Sequence, residues 1–263
     1  MHAIAPSRRR LAPSSAPTAS VVESLRVHEP EADSPHVLMP RAETEIVVRF
    51  GSSARRGVDA HALGPRERMR RKVVQGRQRT VSARLRLDAS EAVLGVPASE
   101  LAGRVVALED LWGEAATQRV LERLAAARDA REAAAVLDAA IAERVAAGAR
   151  RTSPRLAIDA AEKLRDASFA SVAAVADQLG VSERHLRRVF HDAFGIAPKT
   201  FAKLARFHRA LGAARGNDRA AWATIAHDAG YYDQAHLIAE FRAIAGAPPR
   251  ALLGELGAAS SSG

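Results

Sequence analysis

Ser171-Val-Ala-Ala-Val-Ala-Asp-Gln-Leu-Gly180-Val-Ser182-Glu-Arg-His-Leu-Arg-Arg-Val-Phe190-His-Asp-Ala-Phe194 is the stretch around which the rest of the chain is organised. Val172, Val175, Ala176 and Leu179 fall at i, i+3, i+4 and i+7, one apolar face of a helix. Gly180 can take the left-handed backbone needed just past a helix end. Ser182 is an N-cap residue whose hydroxyl accepts from an orphan N–H, so a second helix opens there. Leu186, Val189, Phe190, Ala193 and Phe194 make the buried stripe of that helix. Arg184, Arg187, Arg188 and His191 make a second stripe on its opposite face. A short helix, a glycine turn and a helix with a cationic outer stripe describe a helix-turn-helix, in which the second helix enters the major groove.

The residue types suit that task. Each base pair shows its own pattern of donors and acceptors in the major groove, and arginine's fork of donors matches the two acceptors of guanine. Arginine also pairs with phosphate oxygens, which adds affinity without sequence information. The competing reading is a solvated basic face on an ordinary helical hairpin.

Further along, the pattern recurs. Trp222-Ala-Thr-Ile225-Ala-His-Asp-Ala229-Gly230 repeats the first short helix and its turn. Asp233 is a good N-cap, and Gln234 to Ile244 form a second recognition-like helix with Leu237, Phe241 and Ile244 inward. Gly246-Ala-Pro248-Pro249 closes it as Gly195-Ile-Ala-Pro198 closes the first. Between the two units, Pro198 to about Arg215 reads as one helix, about 27 Å long at the usual rise. Two such units joined by a stiff helix fit adjacent major-groove segments, spaced by one turn of duplex, about 34 Å. A basic face alone has no reason to recur with its cap and turn.

Composition points the same way. The chain has 263 residues, 48% hydrophobic and 4% aromatic, with a formal net charge of +9. That length fits two domains, and the charge favours a polyanionic partner. There is no cysteine, which excludes disulfides, Cys-zinc sites and thiol chemistry. The nine histidines show no metal-ligand spacing, and neither a glycine-rich phosphate loop nor a Gly-x-Ser-x-Gly elbow occurs. No cofactor and no enzymatic activity are expected. No apolar run approaches a membrane span, and Ser7-Arg-Arg-Arg10 has no apolar segment after it, so a cytoplasmic protein with no membrane partner is expected.

The first half is read more coarsely. Residues 1–34 lack periodicity and are expected to be disordered. Glu45–Phe50 and Val58–Leu63 read as strands. Val73-Val74 and Thr80–Leu87 read as two arms of a hairpin around Gly76, with Ser82, Arg84 and Arg86 on a wet face. Residues 66–86 hold Arg66, Arg68, Arg70, Arg71, Lys72, Arg77, Arg79, Arg84 and Arg86 against one acid, Glu67. That density reads either as an anion-binding surface or as a solubilising sheet edge. Short helices are expected at 89–94 and 97–101, then an apolar link, Val105 to Gly113. Helices at about 114–126 and 129–147 are expected to pack on each other or on a second subunit. Residues 149–154 read as a linker.

The quoted residues resemble the AraC/XylS family of bacterial transcription regulators over roughly 154–254. The resemblance is carried by Ala176-Asp-Gln-Leu-Gly-Val-Ser182 with Arg184, Leu186, Arg188 and Phe190, by Phe194-Gly195 with Pro198, by Ile225-Ala with Gly230-Tyr, Asp233-Gln234, Leu237 and Glu240-Phe241-Arg242, and by Gly246 with Pro249. It implies base and phosphate contacts from Arg184, Arg187 and Arg188 in the first unit. In the second it places them at Gln234, Ala235, His236 and Ala239. Ala235 and Ala239 depart from the family pattern, since neither side chain forms hydrogen bonds, so the second helix should read fewer bases. Leu87 to Trp112 resembles an uncharacterised domain often found ahead of this module, which implies a small β-rich sensor domain.

The expected architecture is therefore α+β and multidomain. A disordered segment (1–34) precedes a β-rich regulatory or dimerisation domain with a helical tail (35–150). An all-α double helix-turn-helix DNA-binding domain (151–256) and a flexible tail (257–263) follow. The expected reading helices are 182–194 and 233–245, with Arg184, Arg187, Arg188, His191, Gln234 and His236 on DNA. Double-stranded DNA is the expected partner. RNA polymerase, an unknown small-molecule effector and a second copy of the chain are further candidates. The alternative is an interaction protein that keeps the fold with weak or non-specific DNA binding. A DNA-repair enzyme working through a reactive cysteine, a known fusion to this module, is excluded by composition.

Overall fold

A computed structural model describes residues 8–13, 16–29, 33–51, 54, 57–74, 78–148, 154–166, 171–215 and 222–261. In chain order the elements are β1 (Arg8–Leu11), α1 (Ala16–Ala19), β2 (Val22–His28), β3 (Ser34–Leu38), β4 (Glu45–Phe50), β5 (Val58–Leu63), β6 (Arg70–Val74) and β7 (Thr80–Leu85). Then come α2 (Ser90–Leu94), α3 (Ala98–Leu101), β8 (Val105–Ala107), α4 (Leu108–Trp112), α5 (Glu114–Ala125) and α6 (Ala130–Ala147). The helical part has α7 (Arg155–Arg165), α8 (Val172–Gln178), α9 (Glu183–Phe194), α10 (Pro198–Arg215), α11 (Trp222–Asp228), α12 (Gln234–Ala245) and α13 (Pro249–Ser261). The molecule thus has a β-rich N-terminal region and a helical C-terminal part.

Six strands form an antiparallel sheet in the order β1-β2-β7-β4-β5-β8. Its sidedness follows from the period of two along a strand. Ile46, Val48 and Phe50 of β4 are buried while Glu45, Val47 and Arg49 alternate with them. Val81, Ala83 and Leu85 of β7 are fully buried on the same face as Ile46 and Val48. That face is covered by α6, whose Ala133, Ala134, Leu137, Ala140 and Ile141 are almost wholly buried. Alanines let the helix backbone lie close to the strands. The helix pair at 114–147 therefore packs on its own chain's sheet as well as on itself.

Several expectations change. Residues 8–28 lie within the segment expected to be disordered, yet they contribute β1, α1 and β2. Val22, Leu25 and Val27 of β2 are buried against β7. Their period-two pattern is broken by a bulge between Val22 and Ser24, which hides the strand from a search for alternation. The hairpin around Gly76 is not formed. β6 pairs with β3 in a separate two-stranded sheet, and β7 lies between β2 and β4. Gly76 itself, like linker residues 149–153, lies outside the described residues. The face of β7 read as wet is only partly so: Arg86 is exposed, but Ser82 lines a cavity and Arg84 is buried 3.5 Å from Glu23. The link at 105–113 contains strand β8 and helix α4. The expected flexible tail is helical as far as Ser261 in α13.

One polar contact joins the two parts of the molecule through a titratable group. His208 on α10 donates from Nε2 to the Pro40 carbonyl at 2.7 Å. A carbonyl can only accept, so Nε2 carries the proton. Burial, reinforced by Arg41, pushes His208 from 6.5 down to about 4. A histidine held neutral in this way adds stability above pH 6.5, and that stability is lost as pH falls through about 4. Urea midpoints of the full chain should fall between these values, and His208→Gln should flatten that part of the profile. An unchanged slope in the variant would show that His208 does not titrate with unfolding.

Candidate nucleic-acid interface

The first unit is built from α8, a turn and α9. Ser171 Oγ accepts from the Ala174 N–H at 3.1 Å and Ser182 Oγ from the His185 N–H at 3.2 Å, so both helices are capped at their N-termini. Gly180 stands at φ +67, the left-handed region that glycine tolerates. In the turn the Val181 N–H donates to the Ala176 carbonyl at 3.1 Å. The second unit repeats this. Tyr231 N–H donates to the Ala226 carbonyl at 2.9 Å, Gly230 stands at φ +85, and the Asp233 carboxylate accepts from His236 N–H at 2.7 Å. One extra residue, Tyr232, lies in the second turn. Both recognition-type helices end on a left-handed glycine, Gly195 and Gly246.

Beneath α9, Leu186, Phe190 and Phe194 are fully buried, with the Phe190 and Phe194 rings edge-to-face at 4.8 Å. The opposite face carries Arg184, Arg187, Arg188 and His191, all exposed. These four share one surface of one helix. Their circumstances differ. The guanidinium of Arg187 pairs with Glu183 one turn back. Arg188 Nη2 lies 3.3 Å from His185 Nδ1. Arg184 makes no ion pair among the described residues and is open to an external acceptor.

On α12, Gln234, Ala235, His236 and Ala239 are exposed over a floor of Leu237 and Phe241. The Tyr232 N–H donates to His236 Nδ1 at 3.4 Å, and the His236 ring stands edge-to-face on Tyr231 at 5.3 Å. In that tautomer Nε2–H is left as a donor. Tyr232 is 93% exposed, a large aromatic at the head of the second recognition-type helix. Helical periodicity does not single it out, because it lies in the turn ahead of Asp233 beside the buried Tyr231.

α10 fastens the two units together. Phe201 packs on Phe190 at 5.4 Å in the first and Phe207 on Phe241 at 4.6 Å in the second. Arg206 grips Glu240 on α12 through two hydrogen bonds. Arg209 donates to the Arg165 carbonyl on one side and the Ala229 carbonyl on the other. The N-terminal region then holds the C-terminal end of each recognition-type helix. Ser99 Oγ donates to the Asp192 carbonyl at 2.8 Å, and a Cβ on Gly195 would meet Ser99 Cα at 2.8 Å. Met69 N–H donates to the Ile244 carbonyl, and Arg71 Nη2 to the Ala245 carbonyl, each at 2.9 Å. Arg71 also pairs with Glu255 on α13. Carbonyls that a helix terminus leaves unsatisfied are thus filled from outside, while both capped N-termini stay exposed. In helix-turn-helix proteins it is the N-terminal part of the second helix that meets the bases.

Much of the dense basic stretch at 66–86 is consumed internally. Arg66 pairs with Glu45, Arg71 with Glu255 and Arg84 with Glu23, and Arg79 lies over the Phe50 ring at 4.2 Å. Arg77 lies outside the described residues. Among the described residues no helix is long and apolar enough to cross a membrane, and no group of three or more His, Asp or Glu is placed to hold a metal ion.

Residues 175–254 match the family model described as a helix-turn-helix domain. They are an AraC-type helix-turn-helix domain. No curated protein matches the chain. Among solved structures, the chain is similar to a DNA-binding transcriptional dual regulator of Escherichia coli K-12, with 18% identity over 42% of this chain and 98% of that one and a TM-score of 0.35. It is also similar to ToxT of Vibrio cholerae, with 10% identity over 88% of this chain and 97% of that one and a TM-score of 0.47. A ToxT structure from strain O395 gives 12% identity, coverage of 95% and 98%, and a TM-score of 0.44.

Proposed function

We propose that the chain is a sequence-specific transcription regulator that reads two adjacent major-groove segments with helices 182–194 and 233–245. The observation that carries this reading is the twofold occurrence of one device. Each unit has a capped helix whose exposed N-terminal half stands over a fully buried floor and whose far end is held by the rest of the molecule. Arg184 and Arg188 are the best placed of the first helix's cations to read bases, with His191 alongside. Arg187, folded back on Glu183, is assigned to phosphate. On the second helix Gln234 and the Nε2–H of His236 supply the polar contacts, and Tyr232 stacks on the sugar-phosphate edge. Ala235 and Ala239 offer no hydrogen bonds, so the second helix reads less than the first. The N-terminal region, through α3 and β6, is assigned a modulating role. A small-molecule effector, a second copy of the chain and RNA polymerase are its candidate partners, in a cytoplasmic setting.

The test is selection of duplexes from a random pool with the full chain, then gel shifts across a salt series. Arg184→Ala or Arg188→Ala should weaken binding to the selected site by about 1–3 kcal/mol and relax specificity at one position. Arg187→Ala should weaken selected and random DNA equally and lower the salt slope by about one. Gln234→Ala should cost less than either base-reading arginine. Weak, sequence-blind binding by the parent protein would favour the alternative, an interaction protein on the same fold.

A further inference from the structure

A cavity of about 960 Å³ lies between the open face of the six-stranded sheet, the β3–β6 pair and helix α13. That is the size of a pocket for a small organic molecule. Its lining is dominated by one sign of charge. Arg26, Arg41, Arg49, Arg66, Lys72 and Arg215 face it against a single carboxylate, Glu45.

Two of these cations are committed. Arg49 holds Asp59 through two hydrogen bonds of 2.8 and 2.7 Å. Arg66 donates to Glu45 at 3.1 Å and to the Met39 carbonyl at 2.8 Å. The Arg66 side chain is only 9% exposed, and its remaining nitrogen, Nη1, is buried with no hydrogen-bond partner among the described residues. Arg26, Arg41, Lys72 and Arg215 have no ion-pair partner among the described residues. Burial, then the nearby Arg84, pushes Arg41 down to about 10. Burial and the same neighbour lower Arg26, and burial with Arg49 lowers Lys72. Arg26, Lys72 and Arg215 stand at exposed positions, so the electrostatic cost of gathering these like charges falls mainly on the half-buried Arg41 and on the buried, unpartnered Nη1 of Arg66. An anion removes it. Elsewhere the wall is apolar, with Val47 and Leu63 from the sheet and Leu253 and Leu256 from α13.

We propose that this cavity binds a small molecule with an apolar body and two or more oxyanion groups, phosphate or carboxylate, and that its occupation ties the sheet to helix α13. A single negative charge would leave most of the uncommitted cations uncompensated, so a lipid-like monocarboxylate is a poor fit. Because α13 follows α12 directly and is held to β6 through Arg71, a ligand here bears on the second reading helix. Only that regulatory consequence rests on the proposed DNA reading. The binding itself does not.

Calorimetry on the full chain without DNA tests it, with ATP, citrate, adenosine and oleate as titrants. ATP or citrate should bind, and which one does separates phosphate from carboxylate. Adenosine and oleate should bind at least tenfold more weakly. Arg26→Gln and Lys72→Gln, both at exposed positions, should each weaken the anion by about tenfold or more, the scale of a lost charged hydrogen bond. The double variant Arg184→Ala/Arg188→Ala should leave it unchanged. Failure of both ATP and citrate to bind overturns the proposal, as does oleate binding as tightly as either. So does an affinity that falls with the α9 arginines instead of the cavity cations, which would place the anion on the helix surface. Gel shifts of the same variants report on DNA reading separately.

Discussion

Replacing Glu240 by alanine should lower the unfolding free energy of the full chain by about 3–5 kcal/mol, the range for removing one partner of a buried ion pair. Glu240 is 6% exposed and lies beneath α12. Both its oxygens accept from Arg206 on α10, at 2.9 and 2.5 Å. The guanidinium sits 5.3 Å from the Tyr231 ring, and burial pushes the Tyr231 hydroxyl well above its ordinary range. Arg206 is only 22% exposed, so a lone cation there would be incompletely hydrated. Alanine would strand Arg206 there, which is where most of the loss arises. Urea denaturation checks the magnitude, and Arg206→Met/Glu240→Leu checks the cause. If the stranded charge is responsible, the double variant should recover most of the lost stability. A loss below about 1 kcal/mol for Glu240→Ala, the scale of an exposed pair, would mean that the pair is solvated and that α12 is held by its apolar floor alone.

Gly64→Ala should be as damaging by a different route. Gly64 follows β5, and its N–H donates to the Arg104 carbonyl at 3.1 Å. A Cβ there would fall 1.7 Å from the Leu101 carbonyl oxygen and 2.3 Å from its carbon. Those are backbone atoms of α3, so no side-chain rotation relieves the overlap, and a cost of about 3 kcal/mol or more is expected, at the upper end for overpacking. Gly57→Ala is the control, since it has a left-handed φ of +82 but nothing within 4 Å of the added carbon. If both variants unfold at the same urea concentration, the close approach of β5 to α3 is not tight in solution. Because α3 also holds the end of α9, Gly64→Ala should weaken DNA binding beyond what its stability loss explains.

The helical half was legible because its information is local. Caps at Ser182 and Asp233, left-handed glycines and an apolar stripe every three or four residues all lie within a few positions of each other. The N-terminal half depends on distant pairings. Val73-Val74 reads as the arm of a hairpin with Thr80–Leu87 because the two are neighbours in sequence, but Arg70–Val74 pairs instead with the distant Ser34–Leu38. The basic stretch read as surface because its partners are remote in sequence: Glu45 for Arg66, Glu255 for Arg71. The exposed stripes on α9 and α12 follow from periodicity. The grip on their far ends does not, since Ser99 and Met69 carry no local mark of that contact.

That grip has a consequence for the proposed reading. With Asp192 and Ile244 both tethered to the same β-rich body, the interval between the two DNA-facing edges belongs to a closed frame rather than to α10 alone. The chain should then behave as a fixed caliper. One base pair inserted between the half-sites shifts the second by about 3.4 Å along the duplex axis and turns it by roughly a tenth of a helical turn. A frame braced at both jaws cannot follow, so affinity should fall to that of a single half-site rather than decline by degrees.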